Sequence, residues 1–452
     1  MYVPTLAGAE PRLKRRYTDL IVSQLSSAQC LASGVDASPT LAKGFATTQA
    51  AWRFYGNDRI KLPGLCMPLI EHARTSVPAC CDDWLLVILD WSNLHFNAHE
   101  SKQDRVGLSM NNDLGYEMLT GLAVSDRDGS PIAPVCLELR AADGLHTTRC
   151  DQVGKPLSQL DGLEPVMDHL AGQQLSKPVV FIIDREADSV AHYRRWDASG
   201  KRFVIRANDS RLVLHNGKEQ SLKKVAKGLH GKMKRSRQVQ YKGKLAEQFV
   251  AQTTVVLNRP AYQHRVDKKT GKKKHKNIPA PALALRLIVA EVRDKNGKVL
   301  ACWMLLSNLP SSVPASTLAL WYDWRWHIQT YHKLLKSAGQ EVEQWRQETA
   351  ASLIRRLLVT AMSAVLVWQI ARDQSPQAEQ LRATLVKLSG RQMKRTRNAK
   401  GFTEPALLAG LCVLMPMLIL LETMSLEDLK TVAHELMPLI KNITRPRGAG
   451  SG

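Results

Sequence analysis

Residues 84–90 read WLLVILD, and residues 178–184 read PVVFIID. Each is a short run of aliphatic and branched side chains closed by an aspartate. A run that short, without polar alternation, is the pattern of a strand buried on both faces. The sequence therefore sets Asp90 and Asp184 at the tips of two central strands. Alternating segments near 119–124 and 132–139 follow the first run and read as neighbouring strands of the same sheet. A helix is expected near 165–175, and READSVAHYRRWDAS (185–199) leads away from the second aspartate as a helix. The fold class this implies is α/β.

Further out, residues 1–75 read as helical and basic. Arg12, Lys14, Arg15 and Arg16 open a helix to about 31, and TTQAAWRFY (47–55) forms a second. Residues 202–310 change to β character: RFVIRA, QFVAQTTVVL, ALRLIVAEV and VLACWMLLSNL are rich in branched and aromatic side chains. Two lysine-rich stretches, 223–237 and 268–276, are expected on loops between them, where a phosphate contact and a solvated loop are equally good readings. From 315 to 440 the chain reads as helical, with a motif helix inside 311–375 and a further helical region over 376–445. The tail at 446–452 has linker composition.

The 452 residues carry 63 Lys and Arg against 41 Asp and Glu, a formal charge of +22. An excess that large calls for a polyanionic partner. A membrane surface is the weakest candidate. The apolar stretch 406–421 is short for a span and contains Pro416, so a buried helix is expected there. The eight cysteines form no CxxC pair, which argues against structural zinc and fits a reduced cytoplasm. A ribosomal or RNA-binding protein would explain the charge but not two strand-end acids.

One acid at a strand end is more often a turn or cap residue than a ligand. Two such acids in a very basic chain suit phosphodiester chemistry, in which two divalent cations roughly 3.5–4 Å apart activate one oxygen and neutralise another. Such hard ions take carboxylate oxygens gathered from separate elements. Downstream, WYDWRWHIQTYHKLLKSAG (321–339) carries Tyr322, Arg325, Gln329, Lys333 and Lys336, which share one face of a continuous helix. A solvated basic face is the plainer reading of that pattern.

The intervals from Tyr322 to Arg325, Gln329 and Lys336 match the Tyr, Arg, Glu, Lys signature of the insertion-sequence-four family of DDE transposases. YDWRWHIQTYHKLLKSAG, IDREAD (183–188), RFVIR, VILDWSNLHF (87–96) and TTQAAWRFYGNDRI (47–60) each resemble segments of that family, from about residue 40 to about 345. The resemblance implies an RNase H-like core split as 76–201 and 311–375 around a β-rich insertion at 202–310. It makes 1–75 a DNA-end-binding region and 376–445 a dimerisation region. Asp90 and Asp184 become the first two metal ligands, and Gln329 stands where the family has the third, a glutamate. Two Mg²⁺ or Mn²⁺ ions are the implied cofactors. Tyr322, Arg325, Lys333, Lys336 and Arg206 become DNA contacts. Trp303 becomes the stacking partner of a flipped base, or a core tryptophan if the resemblance fails there.

The implied activity is cut-and-paste transposition on double-stranded DNA, with inverted-repeat ends and a target, by a homodimer in a bacterial cytoplasm. Glutamine keeps the shape of glutamate and removes its charge, so the chain is expected to bind its DNA ends and to cut slowly or not at all. An introduced change and a natural loss both leave this pattern, and the second would make the protein a DNA-binding regulator. Arg185 and Glu186 either orient Asp184 or simply start a helix. No histidine is read as a ligand or nucleophile.

Overall fold

The computed structural model describes residues 5–26, 41–108, 112–266, 273–337, 339–390, 401–422 and 424–444. Part of the lysine-rich stretch (268–272) and the tail from 446 lie outside the described residues. The chain opens with α1 (Pro11–Ser26), α2 (Leu41–Tyr55) and α3 (Leu62–Cys80), followed by β1 (Leu85–His95), β2 (Leu114–Ser125) and β3 (Pro131–Ala141). Then come α4 (Gln159–Ala171), β4 (Val179–Ile183), α5 (Val190–Ala198) and β5 (Arg202–Arg206).

These five strands lie in the order β3–β2–β1–β4–β5. β1 pairs antiparallel with β2, and β2 with β3, while β1–β4 and β4–β5 are parallel. Leu85 to Leu89 are all 0% exposed. Successive side chains on a strand point to opposite faces, so both faces of β1 are covered there. Helices α3 and α4, together with α9 (Ala350–Arg372) from far downstream, pack on β3, and α3 also on β2. Within β2, Gly121 is hemmed in by Leu89, Cys136 and Leu170, so a side chain there would crowd the core.

Three features depart from the sequence reading. β1 does not end at Asp90 but runs on to His95, paired with β2 alone. RFVIR at 202–206, read as the start of the insertion, is the fifth core strand. The β-rich stretch that follows it extends the same sheet through β6 (Lys244–Leu257), β7 (Leu283–Arg293) and β8 (Val299–Ser307), with β8 antiparallel to β5. The stretch 223–237, expected on a loop, contains α6 (Leu222–Leu229) and the start of a strand, Lys234–Tyr241. Leu222, Val225, Ala226 and Leu229 are buried at helical spacing, and Ser221 caps the helix by accepting from Lys224 N–H. Strands Ala261–Val266 and Lys273–Ile278 pair only with each other.

After β8 come α7 (Ala315–Asp323), α8 (Trp326–Lys336), α9, α10 (Pro376–Leu388), α11 (Glu404–Leu421) and α12 (Leu426–Thr444). α9 is long and apolar enough to cross a membrane, and 89% of its apolar window is buried inside the fold, as in a core helix. α1 packs on α9 and α11, and Tyr17, Leu20 and Ile21 join the same core as the sheet. The expectation of a buried helix at 406–421 holds for its first half only. Ala406, Leu407 and Leu408 are buried, whereas Met417, Leu418 and Leu421 are about half exposed, because no described element covers that end.

Candidate functional site

The parallel register of β1 and β4 ends at Leu89 opposite Ile183. One step further along it stand Asp90 and Asp184, side by side where β4 stops. Asp184 leaves the sheet and caps a single 3₁₀ turn (Arg185–Ala187), accepting from the Glu186 N–H at 2.8 Å. Asp188, in the same motif, is structural. It pairs with Arg211 at 3.0 Å and accepts from Asn208 N–H at 2.9 Å, which fastens the loop to the insertion.

Asp90 is nearly buried, and three side chains from the motif region converge on it. Gln329 donates its amide N–H to Asp90 Oδ2. Arg325 Nη1 lies 3.6 Å from Oδ1, and His332 Nδ1 lies 4.0 Å from Oδ2. His332 is buried as well, and its Nε2 meets Thr120 Oγ1 at 3.3 Å; Thr120 is the cross-strand neighbour of Asp90. Lys336 donates to the carbonyl of Asn93. Seven helical residues advance about 10.5 Å, and three strand residues advance about 10 Å. α8 therefore runs alongside β1, with Gln329 on Asp90 and Lys336 on Asn93.

The helix expected over 321–339 is interrupted. Trp324 and Arg325 form a tight turn in which Arg325 N–H reaches Tyr322 O and His327 N–H reaches Trp324 O, three residues back in each case. The cause is tertiary: the Trp324 indole packs onto the hairpin turn at Gly129, whose φ is +74°. A Cβ at that glycine would lie 2.5 Å from the indole. Gly129→Ala is therefore expected to cost about 2 kcal/mol or more, since it strains the backbone and displaces the joint that aims Arg325. Chemical unfolding against Gly297→Ala, also at positive φ but in open space, separates the two contributions.

Electrostatics follow from this burial. Desolvation raises the Asp90 pKa to about 7; Arg325 opposes the rise, and Asp184 and Glu186 add to it. Burial, then the charge of Asp184, raises that of Glu186. Burial lowers His332 to about 3, so its imidazole is neutral. Tyr322 is raised by burial, with Arg325 and Arg206 pulling it down and Asp184 pushing it up, so these four groups act on one another. An aspartate raised on folding stabilises the protein most below its unfolded pKa and loses that contribution as pH rises towards 7. Asp90→Asn is expected to gain a few kcal/mol at pH 8 and to flatten the stability profile between pH 4 and 7, as measured by denaturant midpoints.

The remaining motif residues are more dispersed. Lys333 is exposed and away from the acids. Lys336 lies 3.7 Å from Glu343 Oε1. Trp303 is half-buried on β8, edge-to-face with Tyr241 at 6.4 Å, and shares a narrow cleft with Tyr322 and the exposed Trp326. Arg206 ends β5 beside Leu305. His332, passed over in the sequence, is signalled only by its place one turn beyond Gln329 on α8. Among the described residues no group of three His, Cys, Asp or Glu side chains is gathered closely enough to hold a metal ion.

No protein-family model matches the chain. No curated protein matches it either. Among solved structures the chain is similar to a piggyBac transposase synaptic complex with hairpin DNA, at a TM-score of 0.36 and 10% identity, over 99% of this chain and 80% of that one. A likeness that distant carries no argument about activity, and the reading below rests on this chain's own residues.

Proposed function

We propose that this protein is a DDE transposase of the insertion-sequence-four family, similar to the transposon-five transposase, disabled at its third ligand position by Gln329. The observation that carries the reading is the register that sets Asp90 beside Asp184, with Gln329 and Arg325 both brought onto Asp90. The strand order β3–β2–β1–β4–β5, antiparallel then parallel, supports an RNase H-like core. The charge of +22 supports double-stranded DNA as the partner, with transposon ends and target as its two forms. The relatives' homodimer is carried over with the reading.

Two carboxylates and an amide fit a pair of Mg²⁺ or Mn²⁺ ions poorly. Both ions want anionic oxygens, and the amide here turns its N–H to Asp90. No cleavage step is therefore assigned to the chain as it stands. The same hydrogen bond favours a second reading, a catalytically inactive, sequence-specific DNA-binding regulator, because it satisfies Asp90 without a cation. Strand cleavage of a duplex bearing the element's ends, in Mg²⁺ or Mn²⁺, distinguishes the two. Cutting by Gln329→Glu that is abolished by adding Asp184→Asn supports the transposase. Tight binding without cutting by either form supports the regulator.

A further inference from the structure

A cavity of about 620 Å³ lies on the other side of α8 from Asp90. The hairpin turn between β2 and β3, the end of α9 and the start of α11 enclose it. His327 and Trp368 are shared walls with the motif helix, since the Trp368 ring lies 5.6 Å from that of Tyr331 on α8.

Two arginines face this space from different elements, and each is anchored by one nitrogen only. Arg372 Nη1 donates to Pro131 O. Arg382 Nη1 donates to Ile370 O at 2.8 Å and to Asp373 O. Among the described residues neither is ion-paired with a carboxylate, and their Nε and Nη2 groups have no protein acceptor. A third, Arg127, is already committed to Asp82 at 2.7 Å. The Arg382 guanidinium stacks over Phe402 at 5.4 Å, which fixes its plane. Burial penalises the charge on Arg372; Cys80 and Asp128 offset part of that penalty, and an anion arriving there would offset more.

We propose that this cavity is a phosphoryl-binding site, with Arg372 and Arg382 as its donors and Phe402 and Trp368 as its apolar walls. Two guanidinium edges offer four N–H donors at an angle to one another, more than a carboxylate's two oxygens can use and suited to a tetrahedral phosphate. The volume falls in the range of small-molecule sites and accommodates a nucleotide. Asp128, which accepts from Ser130 N–H and Oγ–H and whose charge already acts on Arg372, and Glu404 also line the cavity, so a phosphate competes with these carboxylates for the guanidinium field. The phosphate can come from a free nucleotide or from the DNA backbone. Because the cavity shares its wall with α8, an occupant would brace the joint that aims Arg325 and Gln329.

The test uses the full chain with inorganic phosphate, pyrophosphate and ATP, without metal, followed by calorimetry and thermal unfolding. The parent is expected to be stabilised by at least one of them. Arg382→Gln and Ala371→Glu are expected to weaken that binding at least tenfold. Ala371 lines the cavity and takes no part in the hydrogen bonds that anchor the two arginines, so its variant adds a carboxylate there without removing either guanidinium. If the source is DNA, the variants also lower the slope of log affinity for duplex against log salt by about 0.9, the contribution of one phosphate. An unchanged slope with lost phosphate binding points to a free ligand. The inference is overturned if no phosphate binds and the slope is unaltered, or if binding persists in both variants. It does not depend on cleavage, so a failed transposase assignment leaves it standing.

Discussion

Replacing Gln329 by glutamate is expected to raise metal-dependent nicking at an element end by at least two orders of magnitude, about 2.7 kcal/mol of barrier. The side chain already reaches Asp90, so only the donor type changes: an N–H that donates to Asp90 becomes an oxygen that shares a cation with it. The change carries a cost without metal. A third acid would face Asp90, which burial already holds near neutrality at about 7. Gln329→Glu should therefore melt below the parent in chelator and recover with Mg²⁺ or Mn²⁺, while the parent responds little, because a cation stabilises only the form that binds it. Equal cutting by both forms would place the third ligand elsewhere and remove α8 from the assignment. A glutamate form that binds DNA and metal yet never cuts would leave the regulator reading.

The strands that position this site were legible because burial on both faces writes itself as an unbroken apolar run. WLLVILD and PVVFIID became the start of β1 and the whole of β4. Where β1 loses its parallel neighbour the signal fades: Trp91, Ser92 and Asn93 are half-buried, and only pairing with β2 keeps them extended. The break at Trp324 was invisible because neither Trp324 nor Arg325 is a helix breaker. Its cause, Gly129, lies far away in sequence. β5 was assigned to the insertion because parallel pairing with β4 is a tertiary fact with no local trace. In α6 the apolar spacing is present, but the lysines between the apolar positions give the segment the composition of a loop. At the site, the two aspartates and the helix that meets them were readable from spacing. The imidazole behind Asp90 was not, because a buried histidine looks like any other polar residue on a helix.

Arg355 on α9 holds the N-terminal helices to the sheet that carries Asp90 and Asp184, and Arg355→Ala is expected to destabilise the protein by about 3 kcal/mol. Its Nη1 donates to Tyr55 O, at the last residue of α2, at 2.9 Å and its Nε to Ile60 O, in the turn that leads into α3, at 3.1 Å. Arg355 is nearly buried, so truncation leaves two carbonyls without a donor in a place water does not reach. The ion pair it also makes with Asp58, at 2.9 Å, should contribute little, because the Asp58 side chain is 88% exposed. Asp58→Ala is accordingly expected to cost less than about 1 kcal/mol. Denaturant midpoints compare the two, and limited proteolysis between residues 41 and 60 reports where the structure opens. If the two variants lose the same stability, the clamp is electrostatic and superficial rather than a satisfied buried turn. If Arg355→Ala opens the N-terminal region while the sheet stays protected, DNA-end binding should fall without loss of the acid pair at Asp90 and Asp184. Recognition and chemistry would then be joined mechanically through α9, which packs on the N-terminal helices on one side and on β3 of the sheet on the other.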